Sequence, residues 1–385
     1  MQIDSPKIDN ILENAALQKV PAISAAVISK DSNIYKGHFG FKDLENKNPV
    51  DDNTLFRIAS MTKAITSTCI YQLIDRDILS LDTNLKDFFP EINDKKVIKG
   101  FDDSGDAILS DVSNDINIGH LLTHTSGFAY EIWNESIAKL VERGDLQSAF
   151  ANNDEFLKAP LIFEPGTNWE YGIGIDWLGV LIEKINECSL QEYMHTNIFE
   201  PLEMANTSYD LDKSKHSRVA KVYGRNGDEY FEMPFEVPEK SSFYSGGGNL
   251  ISSIEDYSKF LKIFLNAGQG PDKQIISMSS HDSMLKSLNE ELVMKQMFSQ
   301  VPMLSEDVDF FPSSTKSWSP GFMINHEDID SGRPKNSAGW AGLFNSFFWI
   351  DPKNEIAAVI LMQMLPFSED GCLNTLKEFE TSIYN

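Results

Sequence analysis

The sequence predicts an α+β fold: an antiparallel sheet whose strands come from both ends of the chain, flanked by helices, with a mostly helical insertion between them. Three observations predict it. Short apolar, β-branched runs lie near both termini, at Pro21 to Ile28 and at Leu343 to Ile350 and Glu355 to Met362, with the length and composition of strands. The stretch between, from Leu79 to about Asn206, carries helical spacing and polar loops. The regular alternation of strand and helix that a doubly wound parallel sheet requires is missing. On this reading one α/β body comprises 1–78 and 207–385, a helical body comprises 79–206, and a functional site sits at their junction.

Each element follows from local pattern. Ile8, Ile11, Leu12, Ala15 and Ala16 recur at helical spacing and predict a helix over Ile8 to Ala16. Asp31-Ser32-Asn33 is a turn that joins the first strand to Ile34–Phe39 as a hairpin. Thr54 to Ala59 reads as an extended run, and Ala64 to Ile70 as a helix. Leu146 to Phe156 and Trp177 to Asn186 have helical patterns, with Asp176 expected as the cap of the second. Ser245 to Asn249, with its Gly246-Gly247-Gly248 run, is a bend that crosses near a pocket, and Ile254 to Leu265 resumes a helix. Asp272 to Ser313 is methionine-rich and irregular. Gly321 to Asn325 adds a strand, and Cys372 to Ile383 closes the chain with a helix.

A chain of 385 residues has ample material for a core. Its net charge of −25 and scattered Lys and Arg disfavour nucleic-acid binding, because a polyanion is repelled. No apolar stretch approaches bilayer length, so no membrane partner is expected. Cys69, Cys188 and Cys372 are odd in number and far apart, as in a reducing compartment. The first residues lack the basic and apolar regions of a secretory signal, so a cytoplasmic location is expected.

Ser60-Met61-Thr62-Lys63 is the feature with chemical meaning. Serine and lysine three apart on a helix share a face, so an amine can accept the hydroxyl proton. A serine at a helix N-terminus also meets free backbone N–H groups. The tetrad alone is weak, since a chain of this length holds about one or two by chance. His120 and His124 lie four apart but have no acidic residue between them and no third ligand, so a structural role is expected and no metal. No G-x-S-x-G elbow occurs, which argues against an α/β-hydrolase.

Five segments in order supply the specificity that the tetrad lacks. They are Phe56–Lys63, His120–Gly127, Phe163–Thr167 leading to Tyr171, Ser245–Gly248, and a last strand ending Trp349-Ile350-Asp351-Pro352. Together they resemble the serine β-lactamase and penicillin-binding-protein superfamily with its β-lactamase/transpeptidase-like fold, in particular the class C-like branch and its family VIII carboxylesterases. The resemblance implies that Ser60 is the nucleophile, Lys63 its partner and Tyr171 the second-motif tyrosine. Tyr171, its pKa lowered by the lysine charge, is expected to take the serine proton. The strand motif that is Lys-Thr-Gly or His-x-Gly in many members falls here on Trp340-Ala341-Gly342; a competing register would put it on Ser337-Ala338-Gly339. The N–H groups of Ser60 and Leu343 are then the expected oxyanion hole. Where β-lactamases carry Tyr-x-Asn, this chain has Tyr171-Gly172-Ile173. Isoleucine cannot hold an amide, so esters are the expected substrates. Phe128, Tyr130, Trp133, Phe243, Tyr244, Trp318 and Phe344 are candidates for an aromatic pocket, with Phe128 and Tyr244 preferred alongside Trp340 and Gly342. The expectation is a carboxylesterase without cofactor, acting on small or medium acyl esters. A β-lactamase or D-Ala-type peptidase, an acyltransferase, and a non-catalytic binding protein are its rivals.

Overall fold

The computed structural model describes residues 3–227 and 229–385. Eight strands form one antiparallel sheet: β1 (Ala22–Ser29), β2 (Asn33–Asp43), β3 (Asn48–Pro49), β4 (Lys316–Trp318), β5 (Met323–Asn325), β6 (Ala338–Gly342), β7 (Ser346–Asp351) and β8 (Ile356–Met362). Their spatial order is β4-β5-β6-β7-β8-β1-β2-β3. The two chain ends meet at the centre, where β1 pairs with β8 and Ala25 lies opposite Ile360. Every residue of β8, and all of β1 except Ser29, is buried. Both faces of these strands are covered, which is why they read as continuous apolar runs rather than alternating ones.

The cover comes from helices on opposite faces. Helix α1 (Ser5–Gln18), α2 (Thr62–Asp75), α3 (Gly174–Asn186), α4 (Ile254–Leu265) and α5 (Asp370–Tyr384) are the long ones. Phe348 meets Tyr257 of α4 with ring centroids 5.3 Å apart, and its neighbour Trp349 meets Phe379 of α5 at 5.9 Å. Successive strand residues point to opposite faces, so α4 and α5 lie on opposite sides of the sheet. Helix α1 packs against α5. Helix α2 is buried at every position from Thr62 to Leu73. Ile65, Thr66, Thr68 and Ile70 give it modest intrinsic propensity, so enclosure by its neighbours, α3 among them, holds it helical.

Three readings need correction. Residues 146–156 form turns that lead to a short 3-10 segment, Glu155–Lys158, because Asn152 reverses the chain at φ +52°. Phe156 still goes inside, against Phe243. Helix α3 starts at Gly174, before the expected Trp177. Segment 79–206 also holds a hairpin, Lys96–Phe101 with Ala107–Asp111, beside its helices. No helix of the described residues is long and apolar enough to cross a membrane.

A buried ion pair ties α5 to the sheet. Arg333 donates through Nε and Nη2 to the two carboxylate oxygens of Glu380, both at 2.8 Å, and its guanidinium lies 4.4 Å from the Trp349 ring centroid. Both side chains are almost fully enclosed. Removing one partner leaves an uncompensated buried charge. Glu380→Ala is therefore expected to lower unfolding free energy by about 3–5 kcal/mol, read from urea melts.

Candidate active site

A bend fixes the front of α2. Ala59 takes φ +42°, a left-handed conformation that costs a non-glycine residue about 1–2 kcal/mol. The extended segment, expected to reach Ala59, ends at Arg57, and a 3-10 turn runs from Ala59 to Met61. The Tyr257 hydroxyl donates to the Met61 carbonyl at 3.0 Å and holds the turn in place. Ser60 thus stands half-buried at the entry of the helix, with Lys63 one turn further in and fully buried.

Strand β6 is pressed against this turn. A Cβ on Gly342 would lie 2.3 Å from the Ile58 carbonyl oxygen, so only glycine allows the approach. Leu343 follows at the strand end. Among the described residues its N–H donates to no backbone or side-chain acceptor, which leaves it available as a donor beside Ser60.

The Lys63 amine has three oxygen neighbours: Ser60 Oγ at 3.2 Å, Tyr130 Oη at 3.0 Å and the Gly247 carbonyl at 2.7 Å. A neutral amine has two N–H donors and one lone pair. Donation to Gly247 and Tyr130 leaves the lone pair for the serine proton. Burial pulls the Lys63 pKa down to about 7, while the Asp176 charge opposes the shift.

Tyr171 closes the other side. Its hydroxyl accepts from Trp340 Nε1 at 2.9 Å, so Trp340 is the residue of this strand that meets the phenol. The ring sits among His124 (4.7 Å between centroids), Trp340 (4.9 Å), Tyr130 (5.5 Å), Trp133 (5.5 Å) and Trp318 (5.8 Å). The expected lowering of its pKa is not found. Burial raises it well above the usual phenol value, against the pull of hydrogen bonds with Ser60 and Trp340. The two groups therefore trade places: at neutral pH the amine is the readier proton acceptor and the phenol stays protonated.

Sequence reasoning missed two members of the cluster. Asp176 does not cap α3. It lies buried in that helix's first turn and accepts from Tyr130 Oη (2.9 Å), Ser245 Oγ (2.5 Å) and Gly247 N (2.9 Å). Tyr130 was expected as a pocket aromatic; its hydroxyl instead bridges Lys63 and Asp176. The triglycine bend is what lets these groups meet. A Cβ on Gly247 would fall 2.5 Å from Asp176 Oδ2 and 2.6 Å from Tyr130 Oη.

Other candidates lie elsewhere. Phe128 is buried under Trp177 (6.1 Å), with Lys95 5.5 Å from its ring centroid. Its neighbours Lys95 and Trp177 line, with Phe89 and Leu157, a surface cleft that holds none of the groups above. Tyr244 turns its hydroxyl to Asp210 at 2.7 Å, and Phe344 packs on Phe235. Ile173 is buried at the start of α3. His120 closes a capping box with Asn117. No group of three metal-ligating side chains occurs among the described residues.

The chain is similar to known proteins over almost its whole length. The beta-lactamase family model matches residues 8–382. ML-236A carboxylate methylbutanoyltransferase of Penicillium citrinum is 26% identical over 384 residues, covering 96% of this chain and 91% of that protein. Lovastatin esterase of Penicillium rubens is 26% identical over 366 residues, covering 88% and 87%. The solved structure of unliganded simvastatin synthase from Aspergillus terreus matches with a TM-score of 0.83 at 25% identity, over 98% of this chain and 97% of that one. Both acyl-transferring and ester-cleaving proteins thus stand among the relatives. With a family match over almost its whole length and the sheet, helices and motif order to accompany it, the chain belongs to the beta-lactamase family, within the serine β-lactamase and penicillin-binding-protein superfamily.

Proposed function

We propose that this protein is a serine carboxylesterase that cleaves small or medium acyl esters through an acyl-enzyme on Ser60. The observation that carries the reading is the three-oxygen seat of Lys63, which leaves the amine lone pair to Ser60 Oγ. As Ser60 Oγ bonds to the ester carbonyl carbon, its proton passes to Lys63 Nζ. The carbonyl oxygen takes the electron pair and rests on the N–H groups of Ser60 and Leu343. Collapse breaks the bond to the alcohol oxygen. Tyr171, protonated and held by Trp340, gives its proton to that alkoxide, and the ammonium of Lys63 restores the balance. A water repeats the sequence in reverse and frees the acid.

Esters fit better than amides. An alkoxide leaves more readily than an amide nitrogen, and Ile173 supplies no polar group for a substrate amide. Trp340 replaces a cationic motif residue with an indole, which removes the attraction for a β-lactam carboxylate. A second reading, transfer of the acyl group to an alcohol instead of water, is favoured by the similarity to the methylbutanoyltransferase. The aromatic walls around Tyr171 also favour an apolar acceptor over bulk water. Hydrolysis of p-nitrophenyl butyrate with and without added alcohols separates the two: a dominant ester product would assign transfer.

Fluorophosphonate labelling and ester hydrolysis are both expected to vanish in Ser60→Ala; persistence of either would remove Ser60 from the reaction. Lys63→Ala and Tyr171→Phe are each expected to slow acylation about 100-fold or more in stopped-flow burst measurements. Because the base must be neutral and Lys63 titrates at about 7, kcat/KM should rise with pH below 7 and level off above it. A profile flat from pH 5 to 9 would contradict a Lys63 base. Trp340→Phe removes one neutral hydrogen bond to the phenol and should cost about 3- to 10-fold in kcat/KM.

A further inference from the structure

Lys63 is a fully buried amine, and burial alone would make it too weak a base to be useful. What opposes burial is visible in the geometry. The amine donates to Tyr130 Oη at 3.0 Å, and the Tyr130 hydroxyl donates in turn to Asp176 Oδ2 at 2.9 Å. The Asp176 carboxylate is held by two further donors, Ser245 Oγ and the Gly247 N–H. Gly247 also offers its carbonyl to the amine at 2.7 Å. One residue of the glycine bend therefore grips both charges, and one phenol spans them.

We infer that Asp176, acting through Tyr130, is the counter-charge that sets the proton affinity of Lys63 and fixes its amine against Ser60. Both are positioning residues, since neither touches the reacting carbonyl. The titratable groups that face the amine are Tyr130, Tyr171, His124 and Asp176. Burial holds the two phenols and the imidazole neutral, so the carboxylate is the charge that the amine meets. When Lys63 takes the serine proton, the new ammonium keeps all three acceptors and gains the attraction of a carboxylate one phenol away. The Tyr130 proton stays on its oxygen throughout, and no bond other than the Oγ–H and Nζ–H pair changes in this step.

The inference rests on Lys63 being the base, and one experiment separates the two. The pH dependence of kcat/KM for p-nitrophenyl butyrate is measured for the wild type and for Asp176→Asn, with thermal melts to confirm folding. Loss of the negative charge destabilises the ammonium, so the acid limb should move to lower pH by at least about 0.5 unit while the plateau falls. A lesion that merely loosened the site would lower the plateau and leave the limb in place, which would overturn the inference. A wild type without an acid limb near 7 would overturn the Lys63 base itself. Should Asp176→Asn not fold, Tyr130→Phe decides. It should lower kcat about 10-fold with KM within about 2-fold; an unchanged kcat would overturn the bridge.

Discussion

One buried amine organises this molecule's centre. Lys63 lies in a helix buried from Thr62 to Leu73, so every polar neighbour except Ser60 has to come from another part of the chain. Ser60 comes from its own turn, Tyr130 from the loop after the His120 helix, Gly247 from the bend before α4, and Asp176 from the start of α3. An amine in a dry interior is tolerated only when its hydrogen bonds are met. The requirement to satisfy this one nitrogen therefore fixes where four separate segments stand relative to each other.

The glycines are the means by which those segments come close. Gly342 lets the edge of the sheet touch the turn that carries Ser60. Gly247 leaves room between a carboxylate and a phenol. Gly246 and Gly179 meet backbone to backbone, where a Cβ on either would come within 3.0 Å of the other's chain. Ala59 shows the opposite device. It accepts a left-handed conformation at some energetic cost, and the cost is met by enclosure, as is usual for strained residues beside reactive groups.

Much of the sheet was legible because its central strands are apolar on both faces, and the Ile254–Leu265 helix because Ser253 caps it and its apolar spacing is clean. The Ser60–Lys63 pair was legible because a helix brings residues three apart together. Tyr171 and Trp340 were found only through the order of motifs. Tyr130 and Asp176 had no comparable signal. Tyr130 lies 67 residues from Lys63 and Asp176 lies 71 from Gly247, and no local spacing rule links such positions. Asp176 was misread because an acidic residue near a helix start ordinarily caps it. Here the cap would have left Tyr130 and Gly247 without their acceptor. The short edge strand Lys316–Trp318 was missed for a related reason, since three residues carry too little pattern to stand out.

The exchange of proton roles between Lys63 and Tyr171 follows from the same enclosure. Burial penalises whichever form is charged: it pushes an amine toward neutrality and a phenol toward protonation. A site that buries both therefore holds an amine readier to accept a proton beside a phenol that keeps its own, without a histidine. His124, the imidazole nearest to hand, is itself driven toward its neutral form chiefly by burial, so it is a poor rival acid. The aromatic walls that exclude water thus do more than shape a substrate. Burial favours the neutral amine and the protonated phenol, and the Asp176 charge behind Tyr130 opposes the shift at the amine.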